Sequence, residues 1–288
     1  MATDHFEFRL YRYDPSVSAA VVLTVAFIIA SAIHTYQVSM TRTWFMIPFT
    51  LGGYFEWIGY IGRAMSGTQS PDFTVGPYIL QTLLLLIAPT LFAASIYMEF
   101  GRVVLLTDGE AYCWIRRQWL TKIFLAGDIV SFIMQGAGGG IMASGTPSAL
   151  TTGENIIIAG LIVQLIFFTL FITTSLNFHL KLRSRPSRKV LHAQPPWERH
   201  IYALYAGSAL IFVRSLFRLI EYAQGNDGYL VSHEIYLYIF DAVLMVLIMG
   251  AFGWVHPSEV NALVRGRGGR VVRRLVSVEH IMGMRIGE

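Results

Sequence analysis

Apolar residues gather in seven long stretches of this 288-residue chain, at about 16–33, 44–61, 78–97, 120–142, 155–177, 202–222 and 235–254. Each is long enough to cross a hydrocarbon core of about 30 Å as a helix. The polar positions inside these stretches are few and phased. In the sixth, Arg214, Arg218 and Glu221 recur at i, i+4 and i+7, which places them on one helix face. An arginine facing hydrocarbon costs roughly 2.5 to 3.5 kcal/mol even on lenient insertion scales, so this face must turn toward polar partners inside a bundle.

Other stretches carry matching faces. The second places Glu56, Tyr60 and Arg63 on one side by the same spacing, and the fourth does so with Asp128, Ser131 and Gln135. Gln164 in the fifth and Asp241 in the seventh lie near mid-helix, with Glu234 one heptad before Asp241. At a rise of about 1.5 Å per residue, Glu56 and Arg214 both fall near ~18 Å from the same membrane face, so the second and sixth helices can bring them together. The pattern predicts an all-α polytopic membrane protein, a bundle of seven transmembrane helices.

Composition agrees: 54% of residues are hydrophobic and only 14% charged, far from a soluble globular balance. Charge distribution adds orientation. The links at 101–119 and 181–199 and the tail are rich in Lys and Arg, whereas 143–154 and 223–233 contain neither. Positive charge therefore predicts the N-terminus outside and the C-terminus cytosolic. The expected parts are an extracytoplasmic segment 1–15, a transmembrane domain 16–256 and a basic cytosolic tail 257–288. That tail is read as the flank of the last span, and the first span is expected to serve as targeting signal. Tyr and Trp at the ends, including Trp44, Trp119 and Trp254, read as interfacial anchors.

The intramembrane charge is what points to chemistry. Glu56, Asp128, Glu221, Glu234 and Asp241 face Arg63, Arg214 and Arg218, five acids against three bases. Taken singly, any of these residues is adequately explained as a bond between helices. Taken together they predict a polar cavity from the midplane outward, formed with Tyr60, Gln135 and Gln164. A surplus of acid there either shares a proton or receives a cation such as an amine. Glycines 136 and 138–140 are expected either to end the fourth helix early at the cavity mouth or to pack it closely against a neighbour, and Pro89 is expected to kink the third.

Several classes of chemistry are not indicated. A single cysteine, Cys113, cannot form an intrachain disulfide. His34, His179 and His256 are expected at one membrane face, but nothing recurs with them at ligand spacing, so no metal site is assigned. The glycine run lacks the lysine and hydroxyl of a phosphate loop. No cofactor, catalytic residue or nucleic-acid partner is expected.

The same residues carry a resemblance. The run Gly59 to Arg63, the run Ala88 to Tyr97 around Pro89, Asp128 with Ser131, Gln135 and Gly138 to Gly140, and Arg214, Arg218 and Glu221 followed by Gly228, Glu234 and Asp241 resemble the fungal RTA-like family of lipid-translocating exporters. The likeness runs from about residue 13 to 255, with the tail beyond His256 outside it. It implies a plasma-membrane or endomembrane protein that exports or flips amphipathic lipids or toxic amphiphiles, sphingoid bases among them, with membrane lipids as its surroundings. The resemblance implies no catalytic residue. Competing readings are a membrane-embedded enzyme using a buried carboxylate as acid or base on a lipid-like substrate, and a seven-span receptor.

Overall fold

The computed structural model describes residues 11, 13–142, 144, 146–225, 228–266 and 269–272. Most of the expected N-terminal segment and of the basic tail lie outside the described residues. Among these residues there is no strand. Seven long helices follow one another: α1 (Val17–Thr41), α2 (Ile47–Thr68), α3 (Val75–Leu106), α4 (Arg117–Met142), α5 (Pro147–Ser184), α6 (Trp197–Ala223) and α7 (Glu234–Trp254). Two short helices, Arg188–Ala193 and Ser258–Arg265, flank the last two. By length and composition, six of the seven long helices can cross a membrane. The other, α2, is interrupted by Gly52, Gly53, Gly59, Gly62, Gly67, Glu56 and Arg63.

Local chemistry sets the helix ends. The Ser16 hydroxyl accepts from Ala19 N at the start of α1, and Arg42 closes that helix in the left-handed region at φ 54°. Thr146 caps α5 in the same way ahead of Pro147. The start of α2 is capped from another helix: Phe49 N donates to Ser95 Oγ of α3 at 2.9 Å.

Each helix packs on its sequence neighbour from α1 to α7, α7 closes back on α1, and α3 also packs on α6. This makes α3 the central helix. Glycine permits the closest contacts: a Cβ on Gly62 would stand 3.0 Å from Pro77 O, and one on Gly138 would stand 2.6 Å from Gly153 O. The outward faces are apolar, as at Val22, Val25 and Ile29 of α1 and Ile162, Ile166 and Leu170 of α5, so a lipid-facing belt surrounds the bundle. This is an integral, multi-pass membrane protein. Trp44, Trp119 and Trp254 are exposed at helix ends.

The half of the bundle near the basic links is filled with rings. Phe49 lies 4.6 Å from Phe92 and 5.2 Å from Phe252, and Tyr97 lies 4.6 Å from Phe171. Offset and edge-on contacts of this kind add to burial.

Two expectations change here. The glycine run does not end α4, which stays helical through Met142, because Gly138 is used for close approach to α5 rather than for unwinding. The packed unit also continues past residue 256: Val260, Ala262 and Leu263 are at most 1% exposed in a helix docked against α3. Its alternation of apolar and polar residues is too short to have separated it from a basic tail by sequence.

Candidate functional site

A cavity of about 450 Å³ opens at the end of the bundle away from the basic links. Its volume falls within the range of small-molecule sites, roughly 300–1,000 Å³. Its walls come from the first turns of α3 and α5, the last turns of α4 and α6, the start of α7, and Arg63 of α2, with Tyr11 and Tyr13 leaning in from the N-terminal segment. Leu83, Leu85, Leu86 and Ile157 form its apolar side. Gly136, Gly139 and Gly140 line it as well, leaving open space on the α4 wall between Gln135 and Met142.

Three ion pairs hold the polar side. Arg214 Nε donates to Asp241 Oδ1, and Arg214 Nη2 donates to Leu85 O at 2.8 Å. That carbonyl is available because the residue four positions on is Pro89, which has no N–H to give it. The proline leaves α3 continuous and supplies Arg214 with a backbone acceptor. Asp241 sits in a wide π-helical turn of α7, Tyr238–Val243, a distortion that recurs at functional sites.

The second pair joins the far ends of the chain. Arg63, fully buried, donates to Glu234 Oε1 at 2.7 Å, to Tyr13 Oη at 2.9 Å and to Tyr238 Oη at 3.1 Å. Its guanidinium also lies over the Tyr13 and Tyr238 rings, 5.5 and 5.1 Å from their centroids. Glu234 Oε1 in turn accepts from Ser16 N at 2.8 Å, tying the start of α1 to α7. Burial pushes the Tyr11 and Tyr13 phenols up, so both stay neutral, Tyr13 accepting from the arginine and Tyr11 donating to Gln81 Oε1 at 2.8 Å. The third pair is local: Arg218 donates to Glu221 Oε2 at 2.7 Å and lies over the Tyr222 ring.

Of the eleven residues proposed from sequence, Arg63, Gln135, Arg218, Glu221 and Asp241 line the cavity. Glu234 and Arg214 stand behind two of them as ion-pair partners. Gln164 is one layer deeper, its Oε1 accepting from Gln135 Nε2 at 3.2 Å, and Ser131 binds the same amide at 2.7 Å. Asp128 departs from the expected cluster: its Oδ2 accepts from Tyr97 Oη at 2.9 Å inside the aromatic half, away from the arginines. Tyr60 stacks on Phe27 at 5.6 Å, and its hydroxyl has no hydrogen-bond partner among the described residues. Glu56 is likewise fully buried, with neither oxygen bonded, beside Arg214 and Asp241. Glu56 and Asp128, the two acids of this set without an arginine bond, thus lie behind the cavity wall.

One cavity acid was not in that set. Glu154, on the second turn of α5, lines the cavity half-buried. It stands alone in its helix without a charged residue at helical spacing, so sequence periodicity does not single it out.

A second cluster, also unseen in the sequence, lies at the opposite end. His200 Nδ1 of α6 is 3.2 Å from Glu99 Oε1 of α3, and its Nε2 is 3.4 Å from Glu259 Oε2 of the docked helix 258–265. All three side chains are at most 1% exposed. Arg102 Nη1 adds a bond to Asn261 Oδ1 at 2.9 Å. The three residues belong to three elements, so no spacing within one helix reveals them. His200→Ala should remove the imidazole that two buried carboxylates share and lower stability by about 3–5 kcal/mol. Thermal melting of detergent-solubilised protein checks this, and an unchanged midpoint would show that the cluster does not anchor helix 258–265.

The histidines expected at the membrane face are buried instead. His34 Nε2 is 2.9 Å from Met249 O, His179 Nδ1 is 3.1 Å from Tyr205 Oη, and the His34 and His256 rings are 6.5 Å apart. Burial, with His34 and His200 nearby, lowers His256 to about 3, so it stays neutral. No group of three or more His, Cys, Asp or Glu side chains is placed to hold a metal ion among the described residues.

Comparison with known proteins places this architecture. The chain is 37% identical over 290 residues to Protein RTM1 of Saccharomyces cerevisiae, covering 85% of this chain and 92% of that protein. It is 37% identical over 290 residues to Protoporphyrin uptake protein 1 of the same species, covering 88% and 93%. It is 29% identical over 285 residues to the Sphingoid long-chain base transporter RSB1 from a strain of that yeast, covering 85% and 72%. No solved structure matches it. The family model described as RTA1 like protein matches residues 49–262, running through the glycine-rich α2, all three ion pairs and most of the docked helix beyond His256, and the chain belongs to that family.

Proposed function

We propose that this protein transports amphipathic, lipid-like molecules, with all seven long helices crossing the membrane, the N-terminus outside and the cavity opening on the outer side. The observation that carries this reading is the cavity itself. A polar wall held by one buried and two part-buried ion pairs faces an apolar wall inside a lipid-embedded bundle, which suits a ligand with a charged head and a hydrocarbon tail. The acids of that wall favour a cationic, sphingoid-base-like head. Two relatives support transport: one is named a sphingoid long-chain base transporter and another a protoporphyrin uptake protein. The outward placement follows from the cavity lying away from the Lys- and Arg-rich links.

The test is reconstitution of the purified protein in liposomes with a labelled long-chain amine. The expected result is faster movement of label between leaflets than in empty liposomes, with its mass unchanged. Recovery of a chemically altered product would favour a membrane-embedded enzyme, and label that neither moves nor changes would overturn transport.

A further inference from the structure

We propose that Glu154 is the residue through which this cavity selects a cationic headgroup, an inference that rests on the transport reading above. Charge balance on the cavity wall is the starting point. Arg63 is matched by Glu234, Arg218 by Glu221, and Asp241 by Arg214 behind it. Those six charges cancel in pairs. Among the three carboxylates lining the cavity, Glu154, Glu221 and Asp241, only Glu154 has no ion-pair or hydrogen-bond partner among the described residues. The wall therefore carries one uncompensated negative charge, half-buried and within electrostatic range of Tyr222 across the cavity.

The two cavity arginines are already committed. Arg63 is bonded through Nε and Nη2 to Glu234, Tyr13 and Tyr238, with its remaining Nη1 buried, and Arg218 is held by Glu221 against the Tyr222 ring. An anionic head would have to compete at either guanidinium with the carboxylate already paired there, and would face the Glu154 charge as well. A primary ammonium needs no such rearrangement. It offers three donors to a carboxylate that lacks one, in a cavity also lined by the aromatic rings of Tyr222 and Tyr78, which attract a cation. Its tail can then lie along Leu83 and Ile157.

Binding to wild type, Glu154→Gln and Glu154→Lys in liposomes, with three probes of one chain length, decides it: a long-chain primary amine, its N-acetyl derivative and the matching carboxylate. Glu154→Gln should weaken amine binding about tenfold, leaving the N-acetyl probe unchanged, since one charge-assisted hydrogen bond is lost and no buried partner is stranded. Glu154→Lys should reverse the order of amine and carboxylate. Size exclusion confirms folding of each variant, and Glu154→Asp, which keeps the charge, should retain the preference. Equal weakening of amine and N-acetyl probes by Glu154→Gln, or no weakening of either, overturns the assignment. Wild-type protein that binds none of the three probes overturns the transport reading itself, a result distinct from either.

Discussion

Arg214→Ala should reduce the amount of folded protein and its transport together, with a loss of stability of about 3–5 kcal/mol. This arginine answers three groups at once. It is the counterion of Asp241, the donor to the Leu85 carbonyl that Pro89 leaves open, and the nearest cation to Glu56. Alanine would leave a buried carboxylate unpaired, a buried carbonyl without a donor and two acids side by side, in a site where water cannot easily take over. Removing a charged partner from such a network costs far more than the pair contributes net, because the group left behind keeps its desolvation penalty. Fluorescence-detected size exclusion after heating reads the stability, and liposome transport reads the function. A variant that folds normally but does not transport would mean that Arg214 acts on the ligand and not on the bundle.

Asp241→Asn should behave differently, lowering transport roughly tenfold while leaving folded protein close to the wild-type amount. Asparagine keeps the shape of the side chain and an oxygen that can accept from Arg214. The lost charge has a substitute nearby, since Glu56 lies fully buried beside Arg214 with neither oxygen bonded, and its carboxylate can become the counterion. What no neighbour restores is the negative charge on the cavity wall, because Asp241 lines it and Glu56 does not. The double variant Glu56→Gln with Asp241→Asn removes both candidates and should fall to the stability of Arg214→Ala. A double variant as stable as Asp241→Asn alone would show that Glu56 is not the reserve counterion, and full transport by Asp241→Asn would remove Asp241 from the site.

Much of the site was legible because membrane burial makes charge expensive. Each ionisable residue in an apolar stretch had to turn inward, so helical spacing alone gathered Arg63, Arg214, Arg218, Glu221, Glu234 and Asp241 into one set, and these form the three pairs. Spacing cannot say who pairs with whom. Depth along the helices brought Glu56 to Arg214, and packing places both Glu56 and Asp241 beside it but gives the hydrogen bond to Asp241. Asp128 has the same spacing as the others on its own helix, yet Tyr97 claims it one layer away.

The chain by itself determined the class of molecule. Long apolar stretches, rare phased charges and basic links at one side are properties of single helices, each set by the energy of exposing a residue to lipid or water. They needed no knowledge of neighbours. The tertiary structure alone decided which carboxylates are matched and which are left over. Glu154 has no ion-pair partner among the described residues, where Arg63 pairs with Glu234 and Arg218 with Glu221, and Glu99, His200 and Glu259 meet because α3, α6 and the helix after α7 converge. Pairing of this kind depends on distances between helices, which are fixed by glycine contacts and ring packing across the bundle and not by any repeat along the chain.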